Sequence, residues 1–199
     1  MSTKIDRRHF FLLAGTSLLS MGSFPQGGLP PEAMKTSSPD ILRVLALFSY
    51  GRGIYYFNPA GLYVEIGQTV EWVGLRRRTV TAFHPSLDNH ELRIPENAKP
   101  FDSTSMGSGD GTFRWTFELE GTYDYYSRPH EYLGMVGRIV VRRPGGPGEE
   151  PPGYGNREGR AVMYPDAARL LEYLKSEDII QNKVIPCPLQ FLERKFPWR

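Results

Sequence analysis

The stretch YDYYSRPHEYLGM, residues 123–135, gathers the side chains best able to do chemistry. A tyrosine-rich run leads into Pro129-His130, and Met135 follows five residues after the histidine. An imidazole and a thioether so placed look like one end of a metal site. The residue where such a site wants a thiolate is Ser127. At neutral pH its hydroxyl is a hard, protonated oxygen and does not replace a soft anionic sulfur. Ser127 with His130 also invites a hydrolytic reading, but no orienting acid or nucleophile elbow accompanies them. The bland reading is structural: His130 on a loop bonded to backbone, Met135 as packing, and Tyr123, Tyr125 and Tyr126 as strand residues with the alternating pair facing a core.

Strands flank this stretch. ILRVLALFSY (41–50), GLYVEI (61–66), TVEWVG (69–74), RTVTAF (78–83), TFRWTFEL (112–119), TYDYYS (122–127) and GRIVVRR (137–143) read as strands. Phe113, Trp115 and Phe117 point one way, and Arg114, Thr116 and Glu118 the other, as in a half-buried strand. With no long helical pattern among them, the segments predict an all-β antiparallel sandwich or Greek-key barrel over 41–143. Residues 89–111 form a long connection with little periodicity.

The 199 residues suit one domain with appendages. The formal net charge is +2 and the 24 basic residues are dispersed, which argues against nucleic acid as a partner. Residues 1–24 resemble a twin-arginine export signal, with Arg7-Arg8 followed by a short apolar run over 10–22 that either is cleaved or stays as a membrane anchor. A linker at 25–40 leads to the strands. The lone Cys187 forms no intrachain disulfide and is expected to be buried. PGGPGEEPPGYGN, within 144–157, reads as an extended linker. Beyond it, 158–199 is a docking extension with one short helix over 165–176, whose Ala167, Leu170, Leu171 and Leu174 share a face. Such a piece is too small for its own core, so it must pack on the sandwich or on a partner.

Three segments then carry a resemblance. FNPAGLYVEIGQTVEWV (57–73), TVTAFHPSLDNHELRIPENAKPFDS (79–103) and EGTYDYYSRPHEYLGMVGRIVV (120–141) resemble the cupredoxins of the plastocyanin, halocyanin and pseudoazurin type, over roughly 42–142. The resemblance implies a Greek-key β-sandwich with a type 1 copper at one end, held by a strand histidine and by a loop reading C-x2-H-x4-M. Residue by residue, His130 falls on the loop histidine and Met135 on the axial methionine, while Ser127 falls on the cysteine and Arg78 on the strand histidine. Copper cycling between its two oxidation states takes two imidazoles, a thiolate and a weak thioether. An arginine at position 78 opposes a bound cation, and His84, six residues on, lies about 20 Å along an extended strand. His90 sits in the long connection.

The resulting expectation is a copper-free cupredoxin-like protein, not an enzyme, exported to the periplasmic or extracytoplasmic face. It would serve as an accessory or docking subunit of a membrane-associated electron-transport complex. Its docking residues would be Arg76, Arg77 and Arg78 at the copper end, with Leu170, Leu174, Phe191, Phe196 and Trp198 in the extension. The alternative is a periplasmic electron carrier that binds copper through an atypical set, with His130 and Met135 as the residual ligands.

Overall fold

A computed structural model describes residues 41–104 and 111–192. The strands are β1 (Ile41–Ser49), β2 (Ile54–Asn58), β3 (Gly61–Val64), β4 (Thr69–Val73), β5 (Thr81–Ala82), β6 (Phe113–Thr116), β7 (Gly121–Tyr126), β8 (Val136–Val141) and β9 (Val184–Ile185). They form two sheets, ordered β2-β1-β4-β6 and β5-β7-β8-β3-β9. Most neighbours are antiparallel, but β1 pairs with β4 and β3 with β8 in parallel. Between the sheets lies a core with Trp72, Phe57, Phe101, Phe117, Tyr123, Tyr125 and Met135 all buried. The alternation on β6 holds: Arg114 and Thr116 are exposed while Phe113 and Trp115 pack against this core.

Three sequence expectations change. The segment at 78–83 contributes only Thr81–Ala82 as a strand, and β2 and β9 add to the expected set. Among the described residues the extension holds three helices rather than one: α1 (Pro165–Tyr173), α2 (Ser176–Asn182) and α3 (Leu189–Leu192). Residues 144–157 are not a bare spacer, for they include two short 3-10 turns, Pro147–Glu149 and the start of Tyr154–Glu158, and Gly148 and Gly155 are buried.

Polar burial explains why that segment lies down. Every residue of β7 and β8 is buried, so both faces of these strands are covered. On the side away from the first core, Arg93 and Arg138 grip one carboxylate: Arg93 Nε donates to Asp124 Oδ2 at 2.8 Å, and Arg138 Nε donates to Asp124 Oδ1 at 2.8 Å. Two cations on one carboxylate leave surplus donors, and buried donors need acceptors. Residues 144–174 supply them, since Arg93 also donates to the carbonyls of Gly148 and Glu150, and Arg138 to those of Gly148 and Leu174. Glu91 accepts from Arg93 and from the backbone N–H groups of Gly153 and Gly155. A side chain at 155 would put its Cβ 2.4 Å from that of Glu91, so the close approach requires glycine.

Beside this ionic cluster a second apolar core joins β2 and β8 to the extension. Ile54, Tyr56, Val136 and Val140 meet Met163, Ala167, Leu170, Leu171, Leu174, Ile179 and Leu192. Cys187 is buried here, its N–H donates to Asn58 Oδ1 at 3.1 Å, and desolvation pushes its thiol pKa up to about 12. The expected helical face is the right one, but it docks on its own sandwich. β9 adds to the edge of β3, with Gly61 opposite Ile185. The N-terminal segments 1–24 and 25–40 lie outside the described residues, and no described helix is long and apolar enough to cross a membrane.

Candidate functional site

The four positions singled out by the sequence come together at one end of the sandwich. β7 ends at Tyr126, Ser127 follows fully buried, and Pro129 opens a 3-10 helix over Arg128–Leu133. The loop is closed by backbone bonds: His130 N–H donates to Ser127 O, Met135 N–H to His130 O, and Ser127 N–H to Met135 O. Gly134 ends the helix at φ +80, where its missing side chain leaves room for Leu192 and Asp166.

The stretch after β4 crosses this loop. Ser127 Oγ accepts the N–H of Thr79 at 3.1 Å, and Thr79 Oγ1 accepts the N–H of Arg128 at 2.9 Å. Arg78 is thereby brought next to the loop. Its Nη1 donates to the carbonyls of Gly74 and Arg76, and its Cζ lies 5.3 Å from the centroid of the Tyr55 ring. The Nε of Arg78 is buried with no hydrogen-bond partner, and burial lowers the pKa of the guanidinium below its ordinary value. The same Tyr55 ring stacks on His130, centroids 3.7 Å apart and planes 14° from parallel. Burial, and then the charge of Arg78, push the His130 pKa down to about 4, so its imidazole is neutral at pH 7.

The donor set does not match that of a type 1 copper. Met135 is fully buried in the first core. Ser127 Oγ, 3.5 Å from His130 Nδ1, is already an acceptor for backbone. Where a second imidazole would stand there is a guanidinium, which has no lone pair to give a metal. The other histidines are elsewhere: His84 Nδ1 is 2.7 Å from Ser86 Oγ, while His90 Nε2 is 3.1 Å from Glu131 Oε2 on the back of the loop. The hydrolytic reading also fails on geometry, since the 3.5 Å contact is long and no carboxylate among the described residues orients His130.

Sequence reasoning missed Tyr55, the ring that joins Arg78 to His130. The alternation in IYYFN, with Tyr55 and Phe57 turned to the first core, is the signal that would have found it. It also missed Arg128, which donates to Asp88 at 2.6 Å and Asp102 at 2.7 Å and ties the loop to the long connection. Arg76 and Arg77 are exposed as expected of docking residues, but Leu170 and Leu174 are each 1% exposed inside the chain's own second core and are not available to a partner. The Phe191 side chain, Phe196 and Trp198 lie outside the described residues.

Part of this chain is similar to known proteins. Residues 47–142 match the family described as copper binding proteins, plastocyanin/azurin family. A halocyanin of Natronomonas pharaonis is 29% identical over 100 residues, covering 49% of this chain and 55% of the relative, so the match spans little more than half of that protein. A plastocyanin of Scenedesmus fuscus is 29% identical over 94 residues, covering 45% of this chain and 90% of the relative. Among solved structures, a pseudoazurin from Sinorhizobium aligns with 22% identity over 66% of this chain and 91% of its own, at a TM-score of 0.45. The two-sheet sandwich, the loop with His130 and Met135, and the matched segment agree: residues 47–142, just under half of this chain, form a domain of the plastocyanin/azurin family, a family of electron-transfer proteins rather than enzymes.

Proposed function

We propose that this chain is a copper-free cupredoxin that works as an accessory or docking subunit on the extracytoplasmic side, in a membrane-associated electron-transport complex. One observation carries the reading. At the end where the family binds its metal, Ser127 Oγ accepts the Thr79 N–H and Arg78 lies against the ring that stacks on His130. That arrangement fills the position with a fixed cation and spends the oxygen on backbone. Arg76 and Arg77, exposed beside it, give this end a positive field that favours an acidic protein surface and makes association salt-dependent. The placement outside the cytoplasm rests on the twin-arginine-like segment and on the family.

A second reading, an electron carrier with an atypical copper set, is favoured by the family and by His130, whose neutral imidazole is the form that binds metal. Metal analysis of protein isolated from its native source separates the two. The first reading expects substoichiometric copper and no reversible redox couple, and one equivalent of copper with such a couple would overturn it. Ser127→Cys combined with Arg78→His is expected to yield a blue copper centre, because the loop and the segment that carries position 78 already lie together.

A further inference from the structure

β6 is the last strand of its sheet, in the order β2-β1-β4-β6. Successive residues of a strand turn their N–H and C=O groups to opposite sides, so only every second residue bonds to a given neighbour. Phe117, just past the end of β6, turns both groups to the β4 side: its N–H donates to Gln68 O at 3.0 Å and its carbonyl accepts the Gly67 N–H at 2.7 Å. Phe113 and Trp115 share that parity. The backbone groups of Arg114 and Thr116 therefore point away from the sheet, and among the described residues no backbone partner lies on that side. The other edges offer less. Four of the five residues of β2 are buried, Ala82 of β5 donates to Phe101 O, and β9 is only two residues long.

The strand is open as well as unpaired. The Arg114 side chain is 61% exposed, Thr116 is exposed, and a cleft of about 170 Å³ lined by Asn97, Lys99, Trp115, Thr116 and Glu118 runs beside them. Such an edge is a template for another strand, and its side chains decide which one fits. Consider a second copy laid antiparallel about a two-fold axis at Trp115. Arg114 then faces Thr116 of the second copy and exchanges both backbone hydrogen bonds with it, so that no arginine opposes itself. Trp115, packed against Phe101 and Phe113, meets its own copy at the closer, non-hydrogen-bonded position, where aromatic pairs stabilise a sheet. Glu118, exposed two residues past Thr116, falls diagonally across from Arg114 of the second copy. Arg114 has charge to spare for it. Glu71 is shared between Arg43 and Arg114, so two guanidinium groups stand on one carboxylate.

We propose that this chain forms a two-fold symmetric dimer through the free edge of β6, joining two four-stranded sheets into one. The occupant is a second copy because the edge is complementary to itself in this register, in backbone donors, in aromatic contact and in charge. The inference goes beyond the proposed function, and Arg78, Ser127 and His130 take no part in it.

Sedimentation equilibrium of the full chain from micromolar to millimolar concentration, combined with amide hydrogen exchange followed by NMR, tests it. A dimer is expected at the upper end. The N–H groups of Arg114 and Thr116 are expected to exchange slowly in the dimer and fast on dilution, while that of Trp115, which faces β4, stays protected throughout. Thr116→Pro removes an outward N–H that β4 does not use and is expected to abolish the dimer while thermal unfolding stays cooperative. Glu118→Lys, at an exposed position, is expected to raise the dissociation constant about tenfold, because the pair with Arg114 occurs twice across the axis. It carries the test alone if the proline variant does not fold. A chain that stays monomeric up to millimolar concentration would overturn the proposal. So would a dimer in which Arg114 and Thr116 exchange as fast as on dilution, or one that Glu118→Lys leaves as tight as before.

Discussion

Arg93, Arg138 and Arg78 are all drawn into this molecule, and they are treated in two ways. Under the 144–157 segment, Arg93 and Arg138 are 0% and 6% exposed and each holds Asp124 plus backbone carbonyls. At the loop end, Arg78 is half-buried with two carbonyls, an aromatic ring and no carboxylate among the described residues. Its Nε has no hydrogen-bond partner among the described residues. A paired buried charge fixes one arrangement, whereas an unpaired one keeps its field for something outside. The first region therefore reads as structure and the second as surface chemistry.

The contrast can be broken at several points. The largest effect is expected from ending the chain at residue 143, which strips the acceptors from Arg93 and Arg138 and uncovers the second core. The loss is expected to consume a typical domain stability of about 5–15 kcal/mol, so that calorimetry shows no cooperative unfolding. Asp124→Asn leaves two buried cations without their shared carboxylate and is expected to cost about 3–5 kcal/mol in urea unfolding.

At the other region the effects are smaller. The His130 pKa of about 4 lies below its unfolded value near 6.5, so the unfolded chain takes up the proton first as pH falls. The contribution of His130 is thus complete above about pH 6.5 and is lost between there and about pH 4. Discounted for its exposure, it amounts to about 1 kcal/mol. NMR titration should show Arg78→Gln moving the His130 midpoint upward, because one of the two causes of its depression is removed. Tyr55→Leu removes the stack and is expected to cost about 0.5–1.5 kcal/mol beyond the area lost. Arg76→Ser with Arg77→Ser is expected to change stability by less than about 0.5 kcal/mol while abolishing salt-dependent capture of an acidic partner.

The contrast also marks what was legible in the residues alone. Alternation in 112–119 announces a strand because one neighbour in two must be buried, and Phe113–Thr116 is one, whereas the strand at 122–127 is buried on both faces. The family spacing brought Arg78, Ser127, His130 and Met135 to one end, although they span 58 positions. Tertiary pairing without local period was not legible. Arg93, Asp124 and Arg138 stand 31 and 14 residues apart, and nothing near any of them declares the others. Residues 144–157 look like a spacer because proline and glycine report local stiffness, while their role depends on carbonyls that every residue carries. Leu170 and Leu174 show an apolar face in sequence, and only packing reveals that the chain itself covers it.

The pairing of β9 with β3 sets a temporal order. Gly61 finds its neighbour at Ile185, so the edge of the second sheet stays open until nearly the whole described chain has been synthesised. An open strand edge invites pairing with other chains, and closing so long a loop delays the moment at which it is sealed. A chain halted anywhere before β9 therefore leaves the edge of β3 unpaired, and Val184 and Ile185 are the residues that cover it.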